Sequence, residues 1–214
     1  MMPALTLAAL LVAAPAPAVA AVGYDQAFVD AFAEACVPGR LTYDGTRETA
    51  AAAGWALIDR TDHAELLAVM QKSDEMLAAD PEFDSDIVGV LMARDVAGTR
   101  HHLSVTQLTF VIEDGDDPWV MVGCHLYNFD ATAPIDPALV SALLEKPISN
   151  TMEQDGLVGH VWGPPCPMPR TSDTYLSFVA EGTPMSDFIG FSGISMNFST
   201  STPDAGEEVP ETYC

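Results

Sequence analysis

The sequence predicts an α+β fold, with a helical N-terminal third followed by an antiparallel β-sheet on which at least one helix packs, stabilised by two disulfides. Apolar residues first recur at helical spacing, then alternate as in strands, and an even number of cysteines follows an apolar leader. We expect residues 1–20 to be a signal peptide, 21–199 a single domain and 200–214 a polar tail.

The leader, MMPALTLAALLVAAPAPAVA, contains no charged side chain. Its apolar run, residues 5–14, is shorter than the roughly 20 residues that cross a membrane. The small residues Ala18, Val19 and Ala20 then form a cleavage pattern, so cleavage is expected after Ala20. The sequence therefore predicts a periplasmic or secreted protein without a membrane anchor.

The first helix is predicted at residues 24–36, where Phe28, Phe32 and Cys36 share an apolar face. A second is predicted from about residue 47 to 57, with Trp55 as its large apolar side chain. A third is predicted from about residue 62 to 79, capped by Thr61 or Asp62. These segments make up the helical N-terminal third.

Extended patterns follow at residues 87–94, 103–112 and 119–127, with a slip in the alternation near Gln107. In the third of these strands an aliphatic face carries Cys124, and the opposite face carries His125. The aliphatic face is expected to point into the core, which would bury Cys124.

Asp136 and Pro137 predict a helix start, and Pro147 ends that helix. Three further strands are predicted, at residues 156–162, 175–181 and 187–199.

The four cysteines occupy two kinds of environment. Cys36 and Cys124 lie on apolar faces, whereas Cys166 lies in the proline-rich loop GPPCPMP and Cys214 ends the polar tail. Since cysteines in similar environments can meet, we expect Cys36 to pair with Cys124 and Cys166 with Cys214.

The alternative use of that loop is copper binding by His160, Cys166 and Met168, because sulfur and imidazole suit copper. The His-x5-Cys-x-Met order differs from the Cys, His, Met loop of blue-copper proteins, and a disulfide leaves no thiolate. Most other methionines fall in helix or strand patterns, where they fill the core. We therefore expect neither a metal site nor a cofactor.

Two strands carry histidine beside aromatic residues. His125 shares a strand face with Trp119 and Tyr127, and His160 shares one with Trp162. If those faces meet, the five side chains form a small aromatic pocket, whereas the simpler interpretation is exposed or hydrogen-bonded sheet histidines. An exported hydrolase would use His125, His160 and a nearby Asp or Ser.

Familiar catalytic motifs do not match. The string Gly190-Phe191-Ser192-Gly193 fails the Gly-x-Ser-x-Gly pattern, because its second glycine directly follows the serine. The acidic loop at residues 113–117 lacks the ligand spacing of an EF-hand and is interpreted as a hairpin turn.

The formal net charge is −23, with 31 acidic and 8 basic residues, so nucleic acid and anionic lipid are excluded as partners. The charge is expected mainly to keep the protein in solution, although a cationic or protein partner is compatible with it.

The segments FVDAFAEAC, AAAAGWAL and VGCHLY, in this order, resemble uncharacterised exported proteins of Gram-negative bacteria. The resemblance implies neither an activity nor catalytic residues. The leading hypothesis is an exported, non-catalytic binding protein; a hydrolase and a copper-binding protein are the alternatives.

Overall fold

The computed structural model describes residues 23–78, 85–110, 118–204 and 206–212. Within these ranges the predicted α+β fold is confirmed by five α-helices and an eight-stranded antiparallel sheet. The helices are α1 Tyr24–Cys36, α2 Tyr43–Ala52, α3 Ala64–Ala78, α4 Pro137–Leu144 and α5 Pro184–Ile189, and a 3-10 turn spans Arg60–Asp62. The strands are β1 Ala56–Leu57, β2 Ser85–Val96, β3 Thr99–Phe110, β4 Trp119–Asn128, β5 Asn150–Gln154, β6 Leu157–Trp162, β7 Thr174–Val179 and β8 Gly193–Ser201.

The strand order is β1-β2-β3-β4-β8-β7-β6-β5. The last strand in the chain therefore lies in the middle of the sheet, between β4 and β7. This insertion joins the hairpins of the first half of the chain to those of the second half. None of the helices in the described ranges is long and apolar enough to cross a membrane.

The sheet has two unlike faces. The disulfide face carries Cys124 and, directly across from it on β8, Phe198. The histidine face carries His125 and its neighbour across β8, Asn197. Residues directly opposite each other in a sheet share a face, and successive residues of a strand alternate between faces. The strand pairings therefore assign each residue of β4, β5, β6, β7 and β8 to the disulfide face or to the histidine face.

Helix α1 packs on the disulfide face. Its apolar stripe includes Phe28 and Phe32, which are fully buried, and the Phe32 ring meets the Phe198 ring edge-on at 5.2 Å between centroids. At its last residue Cys36 is joined to Cys124 by a disulfide. The predicted helix and the predicted Cys36–Cys124 pairing are both confirmed. The other predicted bridge ends at Cys214, outside the described residues, and stays a prediction.

Helix α4 confirms the helix expected to lie across the sheet. The Asp136 carboxylate accepts a hydrogen bond from the Ala138 backbone N–H, and Pro137 lies in the first turn. Ser141 Oγ then accepts a hydrogen bond of 2.9 Å from the indole N–H of Trp162 on β6. This bond satisfies the polar atom of a tryptophan that is otherwise fully buried.

The second predicted helix was placed too late in the chain. Helix α2 begins at Tyr43, where the Thr42 side chain accepts a hydrogen bond from the Gly45 N–H. Trp55 lies beyond the end of the helix, after a short turn. Trp55 is nevertheless buried, with the Arg94 guanidinium 5.1 Å from its ring. The third predicted helix corresponds to α3, which begins at Ala64; Thr61 and Asp62, the two predicted caps, lie in the 3-10 turn that precedes it.

Two strand predictions need correction. Residues 187–199 are not one strand, because Thr183 and Ser186 form a capping box that starts α5. The slip expected near Gln107 does not occur, since Gln107 pairs in continuous register with Val88 and Val122. Strand β5 was not predicted at all. The last two residues of the predicted 103–112 strand, Val111 and Ile112, and the loop at 113–117 lie outside the described residues.

Gly193 opens β8 where no side chain fits. Its φ is 97°, and a Cβ at this position would lie 2.1 Å from the Asn128 carbonyl oxygen. We expect Gly193→Ala to lower the free energy of unfolding by about 2 kcal/mol through backbone strain and this close approach. Urea denaturation checks the value. Gly98→Ala is the matched control, because Gly98 also has a positive φ but open space around it. Equal losses in both variants would contradict the role assigned to the Asn128 contact.

Candidate functional site

The histidine face of β4 to β8 carries no Asp, Glu, Lys or Arg side chain in a chain that has 39 of them, 31 acidic and 8 basic. Glycine, serine, aromatic and aliphatic residues make up most of it. Its members are Trp119, Met121, Gly123, His125 and Tyr127 of β4; Gly193, Ser195, Asn197, Ser199 and Ser201 of β8; Tyr175, Ser177 and Val179 of β7; Leu157, Gly159 and Val161 of β6; and Asn150, Met152 and Gln154 of β5.

One corner of this face is covered by helix. Leu66 of α3 packs against Tyr127 and against Phe129 just beyond β4. At the same corner Glu65 Oε1 accepts hydrogen bonds from both the backbone N–H and the hydroxyl of Ser192, at 3.0 and 2.9 Å. These contacts hold α3 against the start of β8.

The opposite end of the face is open. Met152 is 45% exposed and Tyr175 41% exposed, and Ile148, just before β5, is 36% exposed. Val161 is half-buried between them on β6. The open end therefore exposes the large apolar side chains of Met152 and Tyr175 beside uncharged polar ones, Asn150 and Gln154.

His125 lies on β4, near the middle of the eight-stranded sheet. It is directly opposite Ser104 on β3 and Asn197 on β8, and Asn197 is in turn opposite Tyr175. Burial lowers the pKa of His125 to about 4. The imidazole is therefore neutral at pH 7, and with Asn197 and Tyr175 it forms a row of uncharged hydrogen-bonding groups across the sheet.

The structure does not bring the five side chains of the predicted pocket together. His125 and Tyr127 stack on the histidine face, at 6.3 Å between ring centroids. His160 and Trp162 lie on the disulfide face, because Val161 is the β6 residue opposite Tyr175. Trp119, at the far end of β4, is 46% exposed and stacks on Phe110.

The residues of the predicted copper alternative have other contacts. Nδ1 of His160 hydrogen-bonds with the Thr151 hydroxyl at 3.0 Å. Met168 is 3% exposed and belongs to the core on the disulfide face. Across the described ranges, no group of three or more His, Cys, Asp or Glu side chains is placed to hold a metal ion.

A carboxylate–histidine pair lies beside the α3 corner. Nε2 of His102 is 3.2 Å from Asp62 Oδ2, and His102 is only 2% exposed. Its Nδ1 has no hydrogen-bond partner among the described residues. The His63 ring stacks on Phe129 at 4.8 Å and packs beside His102. A catalytic histidine would also need a hydroxyl or thiol on the second nitrogen. The contact that the structure shows, His102 with Asp62, joins β3 to the 3-10 turn before α3.

An open hollow of about 370 Å³ lies between α3 and α5. Its lining includes Glu65, Glu181 and Asp187, so it concentrates negative charge. Ser192, the serine of the rejected catalytic string, also lines it, with its hydroxyl donated to Glu65.

Sequence reasoning identified His125 and Tyr127 but missed Tyr175, Asn197 and Met152. These residues share a face with His125 only through the placement of β8 beside β4, which no local pattern indicates. Comparisons of the chain with models of protein families, with curated proteins and with solved structures found no match.

Proposed function

We propose that this protein is an exported, disulfide-stabilised binding protein that holds a partner on the open end of its histidine face, without catalysis. The observation that carries the proposal is the uncharged face itself, with Met152 and Tyr175 exposed on it, in a chain of net charge −23. The cores of protein interfaces are depleted in charged residues and enriched in aromatic residues and methionine. Exposed apolar patches rimmed by polar residues mark interaction sites.

Export is supported by the Cys36–Cys124 bridge, because structural disulfides persist in oxidising compartments. Together with the leader at residues 1–20, it favours a periplasmic or secreted location. The proposal includes a second bridge, Cys166 with Cys214, that anchors the tail at 200–214 to the single domain at 21–199. Mass spectrometry checks this bridge, because the reduction of each disulfide adds two hydrogen atoms to the mass of the protein.

A binding role is favoured over the hydrolase alternative by the hydrogen bonds of the histidines. Within the described ranges, His102 contacts a carboxylate without a hydroxyl, and His160 contacts a hydroxyl without a carboxylate. The kinship with uncharacterised exported proteins of Gram-negative bacteria stays a prediction.

The test places a charge on the face. We expect Tyr175→Asp and Met152→Asp each to weaken binding of the uncharged peptide acetyl-Val-Tyr-Val-Thr-amide at least ~10-fold, about 1.4 kcal/mol, because the new carboxylate loses hydration when the peptide covers it. Leu57→Asp is the matched control, since Leu57 is 68% exposed on β1 at the opposite edge of the sheet. NMR titration of the isotope-labelled protein gives both the affinity and the residues that respond.

In the unmodified protein, shift changes are expected at Met152, Tyr175 and Asn197. Shift changes confined to the α3–α5 hollow, or equal weakening by Leu57→Asp, would contradict the proposal.

A further inference from the structure

Strand β5 is the outermost strand at the end of the sheet beside the open face. It is joined to β6 by a two-residue turn, Asp155 and Gly156, whose φ values of 50° and 91° are those of a type I′ hairpin. The pair that flanks such a turn, Gln154 and Leu157, is hydrogen-bonded. Hydrogen-bonded and non-hydrogen-bonded pairs alternate along an antiparallel ladder, so Thr151 and Glu153 direct their backbone N–H and C=O groups away from β6.

Apart from the charge of Glu153, strand β5 carries none of the side chains by which proteins protect exposed edges. The opposite edge of the sheet is β1, which has only two residues. Strand β5 has five residues, all exposed, and its sequence, NTMEQ, contains neither Lys nor Pro. A strand of this kind presents free backbone donors and acceptors to another extended chain.

An apolar strip runs alongside the edge on the histidine face. Met152 projects to this side from the edge, and Val161 and Tyr175 continue the strip onto β6 and β7. The Met152 methyl group lies over Gly159, where an added Cβ would be 3.5 Å away. Side chains on alternate residues of an added strand would extend this strip, which is how strand addition gains specificity.

Charge selects the kind of partner. Glu145, Glu153 and Asp155 are exposed around β5 and outnumber the one nearby cation, Lys146, whose ammonium donates a hydrogen bond to the Pro164 carbonyl. Two copies of a chain with net charge −23 repel each other when they approach edge to edge. A segment with basic side chains is attracted instead.

We propose that β5 receives an extended segment of a cationic partner protein, which adds a strand to the sheet with apolar side chains on the histidine face and basic side chains on the side of Glu153. This inference rests on the proposed function and names its partner and mode of binding. The free backbone groups of Thr151 and Glu153 supply the hydrogen bonds, and Met152, Val161 and Tyr175 supply the apolar contact.

The probe is a synthetic eight-residue peptide of alternating Val and Lys with blocked ends. We expect it to bind the full chain, and we expect Thr151→Pro to weaken binding at least ~10-fold. Proline at this position removes an outward N–H and leaves the β5–β6 hydrogen bonds in place, as edge strands tolerate. Thr151→Val is the matched control, because it removes the hydroxyl that contacts His160 and keeps the N–H.

Three further readouts make the test specific. Peptide binding should slow amide hydrogen exchange at Thr151 and Glu153. A peptide with Glu in place of Lys should fail to bind, and a peptide methylated on its edge-facing amides should bind at least ~10-fold more weakly. Thermal unfolding of Thr151→Pro without peptide shows whether the variant is folded; if it is not, the methylated peptide tests the same hydrogen bonds on the unmodified protein.

The outcomes separate this inference from the proposed function. If Thr151→Pro and the methylated peptide bind normally while Met152→Asp still weakens binding, strand addition is wrong and the binding face stands. If the Val–Lys peptide does not bind, or binds without protecting the two amides, the inference is overturned. Sedimentation that shows a dimer dissolved by Thr151→Pro would also overturn it, in favour of a second copy of this chain.

Discussion

Replacing both Cys36 and Cys124 by alanine is expected to lower the free energy of unfolding by about 4–5 kcal/mol, the upper figure for a loop of this size in the chain-entropy model. The bridge spans 88 residues and joins the end of α1 to β4, at the centre of the sheet. Both cysteines are buried, at 0% and 1% exposure. Without the bridge, the unfolded chain regains the freedom of the whole segment between them.

Urea denaturation of the unmodified protein and of the double variant measures this loss. The Gly98→Ala variant serves as the control, because it keeps both cysteines and its substitution has open space around it. Reduction of the unmodified protein should reproduce most of the loss without any change in sequence. A loss below about 1 kcal/mol would show that the helices on the disulfide face are held by packing alone.

Acid is expected to destabilise the protein between about pH 6.5 and pH 4, by up to about 3 kcal/mol from His125 alone. Burial lowers the pKa of His125 in the folded protein to about 4, whereas the unfolded chain takes up this proton near pH 6.5. In this window the unfolded state binds more protons, so stability falls as the pH falls. Burial also lowers the pKa of His101 and of His102, which adds to the loss in the same direction.

The His125→Gln variant isolates the central histidine. The free energy of unfolding is measured for the variant and for the unmodified protein at about pH 7 and about pH 4.5. The difference between the two proteins should change by about 1–3 kcal/mol between these pH values, and acid should favour the variant. NMR titration of the His125 ring protons should give a midpoint near 4. A pH-independent difference between the two proteins would contradict the burial assigned to this side chain.

The elements that could be predicted from the sequence are those with a strong local pattern. Helix α1 has Phe28, Phe32 and Cys36 on one face, and its bounds match the prediction. The start of α4 carries its own signal in Asp136 and Pro137. The Cys36–Cys124 pairing followed because both residues face the core, and buried cysteines can meet only other buried cysteines.

Short elements and distant pairings could not be predicted in this way. Helix α5 has six residues, and its apolar residues Phe188 and Ile189 look like part of the strand that follows. Strand β5 has only one apolar residue, Met152, so it has no alternation to identify it. The histidine face depends on β8 lying between β4 and β7, which is a property of the whole chain. The two faces of a single strand could therefore be predicted from its sequence. Which strands lie side by side, and so which faces join, could not.

The most direct test of the binding face is photocrosslinking in the cells that make the protein. Benzoylphenylalanine replaces Tyr175 on the open end of the face in one variant and Leu57 on β1 in the other; both residues are exposed. We predict that Tyr175→benzoylphenylalanine forms a discrete crosslinked species with a basic protein, and that the Leu57 variant forms none. Crosslinks of the same identity and yield from both positions, or from Leu57 alone, would contradict the account.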